Sequence, residues 1–356
     1  MWKKLALSLL ALAVGLTAAE VVLRLTGTGP QVEVVSIGRF RYSPNPELGY
    51  EPVPGFSYDG EDLRYFEFRG RSNSMGFRDV DHAPRKAAGA LRVLVLGDSV
   101  AMGLHVHEPE GVVTTALQAE LRRRGYAAEV INFGVSGYNT RQEVAMLVDR
   151  GLALQPDIVL LQYSLNDTEA VNGGIIRKLR EREQGASGVD WTLLSPRLMQ
   201  SALYRLLWAG LLRGFVDKKR ERRDAALDAL AEDTVPAAFA RLREVTAAAG
   251  VPVGVVVFPH FKAYDEATGA KHMRVAQLSQ ANGFAHLDLL DPFRKCFAQH
   301  GWHVGANEQH PSGLGNRCVA PLLASLVEGV LGLRGVSGAA AEVPAAASEA
   351  TESAAP

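Results

Sequence analysis

Two cysteines in 356 residues, Cys296 and Cys318, are too few for a scaffold built on disulfides, and neither stands in a Cys-x-x-Cys pair or a zinc-type spacing. No charge of one sign is in excess: 38 Lys and Arg face 39 Asp and Glu, a formal net charge of -1. Such a chain has no positive field to hold a phosphate backbone, so nucleic acid is not the expected partner. There is no internal repeat. The end of the chain, 335–356, lacks aromatic residues, lysine and arginine, and reads as a disordered tail. Apolar mass is what the chain does have. With 47% hydrophobic and 22% charged residues it buries a sizeable core, as one large domain rather than two. Stability must come mostly from burial. The two cysteines flank residue 310, and would either be bonded in an oxidising compartment or remain as two buried thiols.

The first 26 residues differ in kind from the rest. Lys3 and Lys4 precede an apolar run, Leu5 to Ala19, that only Ser8 and Thr17 interrupt, and Val21, Val22, Leu23 and Leu25 extend it past Glu20 and Arg24. This order predicts export. Thr17-Ala18-Ala19 suits a cleavage site, and a charged stop followed by more hydrophobics suits an uncleaved anchor with its lysines in the cytoplasm; the anchor is the favoured reading. Residues 27–90, rich in Pro, Gly, Tyr and Arg, form an extended lead-in packing on the core, with short runs at Val32 to Ile37 and Tyr65 to Phe68.

From Leu91 the pattern changes to short β-branched runs alternating with helical ones. Leu91 to Leu96, Ala127 to Phe133, Ile158 to Tyr163, Val253 to Phe258 and Ala285 to Leu290 read as buried parallel strands. Val112 to Arg124, Arg141 to Ala153, Ala237 to Ala249 and about Asn316 to Leu331 read as the helices that cover them. The expected class is α/β, a sheet with helices on both faces spanning 91–334. An insertion at about 168–235 breaks the alternation. Inside it Leu198, Ala202, Leu203, Leu206, Leu207 and Leu211 fall at helical spacing, which fits a helix packed on the domain, a substrate lid or a second membrane contact.

Three strand ends carry groups suited to acyl chemistry. Val93-Leu94-Val95-Leu96 stops at Gly97-Asp98-Ser99, and a serine at a strand-to-helix turn exposes its hydroxyl at the ligand-facing edge of such a sheet. Ser99 is the candidate nucleophile, and Asp98 is expected to brace the turn. The next strand runs into Gly134-Val135-Ser136-Gly137, and the third delivers Ser164-Leu165-Asn166-Asp167. A glycine N–H and an asparagine amide are fitting donors for the negative charge that develops on a carbonyl oxygen. His310, in His310-Pro311-Ser312 before the last helix, offers the general base a serine hydroxyl requires.

In order and spacing these residues resemble the SGNH (GDSL-like) hydrolase superfamily, over about Leu91 to Val330, with Ser99, Gly137, Asn166 and His310 at its four motif positions. The resemblance implies a flavodoxin-like three-layer α/β/α sandwich with a mainly parallel sheet, and hydrolysis or transfer of an ester-linked acyl group by Ser99 and His310. It further implies an oxyanion hole made by the N–H groups of Ser99 and Gly137 and the Asn166 amide, and no cofactor or metal. The lead-in also looks like that of membrane-anchored bacterial members, with Pro-Glu-Leu-Gly-Tyr at 46–50 and Asn-Ser-Met-Gly-Phe-Arg at 73–78. The expected product is a serine esterase of the inner membrane with its catalytic domain in the periplasm, or secreted if cleaved. Its partner would be a small acyl ester or an acylated glycan. The alternatives are an O-acyltransferase on an envelope glycan and a catalytically silent glycan-binding module.

One position departs from the family. Where an Asp is usual, three residues before the histidine, this chain has Asn307. Asn307 can orient a Ser-His dyad, Glu308 can swing in, or a backbone carbonyl can hold the ring; the first is the favoured reading. The other histidines, His105 and His107 beside Glu108, and His300 and His303, read as surface loop residues rather than metal ligands. His260, after Val257-Phe258-Pro259, either lines the pocket or lies on the surface.

Overall fold

The computed structural model describes residues 2–26, 39–57, 71–165, 175–176, 179, 201–207, 234–260 and 266–333. It opens with helix α1 (Trp2–Thr26), 25 residues of which none is buried. At about 1.5 Å per residue it reaches ~37 Å, long enough to cross a hydrocarbon layer of ~30 Å. The described lead-in begins with a two-stranded antiparallel hairpin, β1 (Phe40–Tyr42) and β2 (Tyr50–Pro52).

The core then builds in chain order. Strand β3 (Leu91–Gly97) passes into the short helix α2 (Ser99–Met102), then α3 (Val113–Arg123), β4 (Ala128–Gly134) and α4 (Thr140–Met146). There follow β5 (Ile158–Ser164), α5 (Ala202–Leu207), α6 (Val235–Ala249), β6 (Val253–Phe258), α7 (Glu266–Ala281), β7 (Ala285–Asp288), α8 (Leu290–His300) and α9 (Gly313–Leu331). The five strands β4-β3-β5-β6-β7 form one sheet in that order, all parallel. The second strand lies outside the first and the remaining three follow on the other side. The winding therefore reverses between β3 and β5, where a crevice opens beyond the carboxyl ends.

Two apolar layers sandwich the sheet. Leu94, Leu96, Phe133, Val159, Leu161 and Val255 face α4, α6 and the lead-in. Val93, Val95, Val130, Leu160 and Val256 face α3, α8 and α9. Burial on both faces is why these strands read as unbroken apolar runs. This is the flavodoxin-like three-layer α/β/α sandwich.

The boundaries differ in places for local reasons. The run from Ala285 ends as a strand at Asp288 because the Asp288 carboxylate accepts from the Leu290 N–H and opens α8, a helix the sequence reading missed along with α7. The helix expected over Arg141–Ala153 is α4 followed by a π turn at Leu147–Gly151 and a 3-10 turn at Leu152–Leu154. Of the apolar stripe in the insertion, only α5 is described. Its first N–H groups, at Ala202 and Leu203, donate to the Glu20 carboxylate of α1. Leu198, Leu211, the runs at 32–37 and 65–68, and the tail lie outside the described residues.

The lead-in is locked onto the domain by its two motifs. Asn73 accepts from the N–H groups of Met75 and Phe77, folding the 73–78 segment into a turn that lays Phe77 on Phe133, ring centroids 4.3 Å apart. Gly76, at φ +94°, sits where a Cβ would come within 2.6 Å of the Pro52 carbonyl oxygen. From the other motif, Leu48 and Tyr50 are fully buried, and the Leu48 carbonyl accepts from the Gln142 side chain.

Cys296 of α8 and Cys318 of α9 form a disulfide, with Cα atoms 6.2 Å apart, across the base of the 301–312 loop. Closing a loop of this size stabilises by about 3 kcal/mol. Cys318→Ser is expected to lower the urea unfolding free energy by that amount and to abolish the sensitivity of the midpoint to dithiothreitol; equal midpoints for the oxidised protein and the variant would contradict the bond.

Candidate active site

Strand β3 and β4 end in register, Gly97 opposite Gly134, and α2 crosses directly over both. A Cβ on Gly134 would lie 2.2 Å from the Met102 nitrogen, and one on Gly97 would lie 2.6 Å from the Ala101 Cβ. Only glycine lets the helix sit this close, and the closeness brings Ser99 to the sheet edge. Asp98 is buried and its carboxylate accepts from the Val100 N–H, 2.9 Å, as the N-cap of α2. Gln162 of β5 completes the brace. Its Oε1 accepts from the N–H groups of Asp98 (3.3 Å) and Ala101 (3.0 Å), and its amide donates to Ser164 Oγ at 2.8 Å.

The candidate base, His310, arrives from the loop between α8 and α9. Gly305 and Pro311 pair as an antiparallel bridge, Ala306 N–H donates to the His310 carbonyl, and Ser312 N-caps α9 by accepting from the Gly315 N–H. This holds His310, 5% exposed, with Nε2 at 2.8 Å from Ser99 Oγ. Asn307 Oδ1 stands 3.0 Å from His310 Nδ1 and also accepts from the backbone N–H groups of Gln309 and His310, both at 2.8 Å. Two fixed donors on one side-chain atom identify that atom as the amide oxygen. The proton of the neutral ring then resides on Nδ1, and Nε2 keeps a lone pair for the serine hydroxyl.

Burial, and then the positive charges that His105 and His260 would carry, lower the His310 pKa to about 3. Asn307 is a neutral acceptor and supplies none of the opposing pull that a carboxylate exerts on an imidazolium. The ring is therefore neutral across the working range of pH, in the form a general base requires.

Gly137, a candidate oxyanion donor, lies in the turn after β4 at φ +80°, a conformation that favours glycine. Among the described residues neither the Ser99 N–H nor the Gly137 N–H donates a backbone hydrogen bond outside the helices and strands. Asn166 lies outside the described residues, two positions beyond the end of β5. The structure thus brings together Ser99, His310 and Asn307 by direct contact. Glu308 is exposed, while Asn307 occupies the ring's second nitrogen.

One sequence expectation is corrected. His105 is not a surface loop residue: it is half-buried, at φ +64°, with its ring centroid 5.2 Å from that of His310. The turn after α2 folds the chain back over the base, and Arg78 holds it there by donating to the carbonyls of Gly103 (2.6 Å) and Val106 (2.8 Å). His107 and Glu108 are exposed. His300 lies near the two cysteine sulfurs, but their bond to each other removes both thiolate donors from that cluster. The sequence reading missed Gln162, although a polar residue inside the apolar run Val159–Tyr163 was a visible signal of a buried polar task.

Comparison with known proteins places these features in context. The family model described as GDSL-like Lipase/Acylhydrolase family matches residues 95–318. Among solved structures, the chain is similar to a catalytic mutant of an acetylxylan esterase from Geobacillus stearothermophilus, at 14% identity and a TM-score of 0.42, covering 68% of this chain and 95% of that one. It is also similar to a lipase/acylhydrolase from Enterococcus faecalis, at 15% identity and a TM-score of 0.42, covering 67% of this chain and 96% of that one. No curated protein matches the chain.

The depressed pKa of His310 has a sign that can be read in solution. An unfolded histidine takes up a proton near pH 6.5, whereas the folded ring stays neutral down to about 3. Between these limits the unfolded state binds more protons, so the stability that this residue contributes is full above pH 6.5 and is lost as the pH falls toward 3. Nitrogen NMR of the imidazole is expected to show Nδ1–H and no protonation of Nε2 between pH 7 and pH 4. A ring titrating near 6.5 would contradict the buried geometry with Asn307 as the partner of Nδ1.

Proposed function

The chain belongs to the GDSL-like lipase/acylhydrolase family, an ester-hydrolysing family, and from that premise we propose that it is an exported serine esterase in which Ser99 is the nucleophile and His310 the base. The observation that carries this reading is the 2.8 Å contact between Ser99 Oγ and His310 Nε2, with Nδ1 turned to Asn307. In the proposed reaction His310 Nε2 takes the hydroxyl proton as Oγ attacks the ester carbonyl carbon. The oxygen that becomes negative accepts from the N–H groups of Ser99 and Gly137, joined on the family pattern by the Asn166 amide. His310 then gives its proton to the departing alkoxide, and a water deprotonated by the same nitrogen releases the acyl group and restores Ser99.

Asn307 sets the character of this base. It fixes the tautomer but cannot offset the imidazolium charge that forms transiently, so it orients without the electrostatic help a carboxylate gives. Two observations support export: the unburied apolar helix α1 behind Lys3 and Lys4, and the Cys296–Cys318 bond, which suits an oxidising compartment. We read α1 as an inner-membrane anchor with the catalytic domain in the periplasm. The substrate class is a small acyl ester or an acylated glycan.

Hydrolysis of p-nitrophenyl acetate tests the reading. Ser99→Ala is expected to lower kcat by at least ~10³. Release that is equal in wild type and variant, or absent from a folded wild type, would overturn it, the latter in favour of a binding module; release stimulated by sugar acceptors would assign transfer to a glycan. Wild-type kcat/KM is expected to show no acid limb from His310 between pH 8 and pH 5. In Asn307→Asp, the new carboxylate raises the His310 pKa, introduces that limb, and raises kcat at pH 8 by at least tenfold, toward the ~10⁴ that the equivalent Asp supplies in a serine protease. An unchanged profile and rate in that variant would show that residue 307 does not govern the base.

A further inference from the structure

The lead-in makes a side-chain hydrogen bond to the turn that holds Gly137. Tyr50, the last residue of the Pro-Glu-Leu-Gly-Tyr motif and the first of β2, is fully buried, and its hydroxyl donates to the Ser136 carbonyl at 3.0 Å. Ser136 is itself buried, and its carbonyl belongs to the same peptide unit as the Gly137 N–H. Among the described residues there are no cis peptide bonds, so across this planar trans unit the C=O and N–H point in opposite directions. A donor that holds the carbonyl on the lead-in side therefore turns the N–H to the other side. Gly137, with no Cβ and φ +80°, gives the unit little resistance to rotation by itself.

We propose that Tyr50 is a positioning residue for ester hydrolysis, its hydroxyl fixing and polarising the Ser136–Gly137 peptide so that the Gly137 N–H is preset as an oxyanion donor. The proposal rests on the reading of Gly137 as part of the oxyanion hole and assigns the lead-in a part in catalysis. Polarisation adds to orientation, because a carbonyl that accepts a hydrogen bond leaves its amide N–H a stronger donor. The tyrosine is itself held on two sides. The Tyr138 hydroxyl donates to the Tyr50 carbonyl, and the Tyr50 ring meets those of Phe40 and Tyr138 edge-on, both at 5.2 Å between centroids. Burial keeps the Tyr50 phenol far above its ordinary pKa, so it remains a donor at any working pH.

Tyr50→Phe removes only the donor and keeps the ring. A suitable control is Tyr42→Phe on the paired strand, which removes another lead-in hydroxyl bond, to the Ile176 carbonyl rather than to the Ser136–Gly137 peptide. We expect Tyr50→Phe to lower kcat by roughly 10- to 100-fold with KM changed less than about twofold. The affinity of a boronic acid that forms a tetrahedral adduct on Ser99 should fall by the same factor as kcat/KM. Tyr42→Phe should leave kcat, KM and boronate affinity within about twofold of wild type. Unchanged kcat and boronate affinity in a folded Tyr50→Phe would overturn the proposal. Equal losses in both variants, tracking a lowered melting temperature, would overturn it in favour of a structural role. If wild-type turnover itself did not depend on Ser99, the catalytic reading would fall instead, and the two failures are told apart by the Ser99→Ala measurement.

Discussion

A single hydrogen bond, from the Ser99 hydroxyl to the His310 ring, joins groups 211 residues apart in the chain, and much of the architecture serves to keep its two ends in place. Ser99 is fixed from below by glycines that let α2 lie against β4, and from the side by Gln162 reaching over from β5. His310 is fixed by a loop whose two stems are stapled by the Cys296–Cys318 bond and whose exit is capped by Ser312. The sheet supplies the rigid reference. Because its winding reverses between β3 and β5, the serine and the end of β5 both lie beyond the carboxyl ends of the strands at the switch point.

The electrostatics of His310 follow from having an amide rather than a carboxylate beside its Nδ1. A buried imidazole with two other histidines near it and a neutral partner resists protonation, so it is always ready to accept a proton but holds one weakly. Orientation and charge stabilisation, which one Asp commonly supplies together, are here separated: Asn307 gives the first. In the proposed reaction any compensation comes where negative charge develops, at the proposed oxyanion donors, and the lead-in contacts the Ser136–Gly137 peptide through Tyr50.

The strands were legible because a parallel sheet covered on both faces leaves unbroken apolar runs, and β6 matched its run residue for residue. The juxtaposition of Ser99 and His310 was legible because each sits where a strand or loop meets a helix, at residue types with few other reasons to occur in that order. Helices α7 and α8 were missed: the amphipathic pattern of α7 is weak, and α8 begins inside a run that looked like more strand until the Asp288 carboxylate turned it. His105 was misplaced because nothing in sequence says that a turn at φ +64° will fold back over residue 310. The contribution of Tyr50 was equally hidden, since its partner is a backbone carbonyl 86 residues away.

Covalent capture with a fluorophosphonate, located by peptide mass spectrometry, probes the central claim most directly, because the reagent requires a serine oxygen activated by a base. At pH 7.5 a single adduct on residue 99 is expected in the wild type, with labelling lost in His310→Ala. Equal labelling of wild type and that variant, or a folded wild type that takes up no reagent at residue 99, would contradict the account.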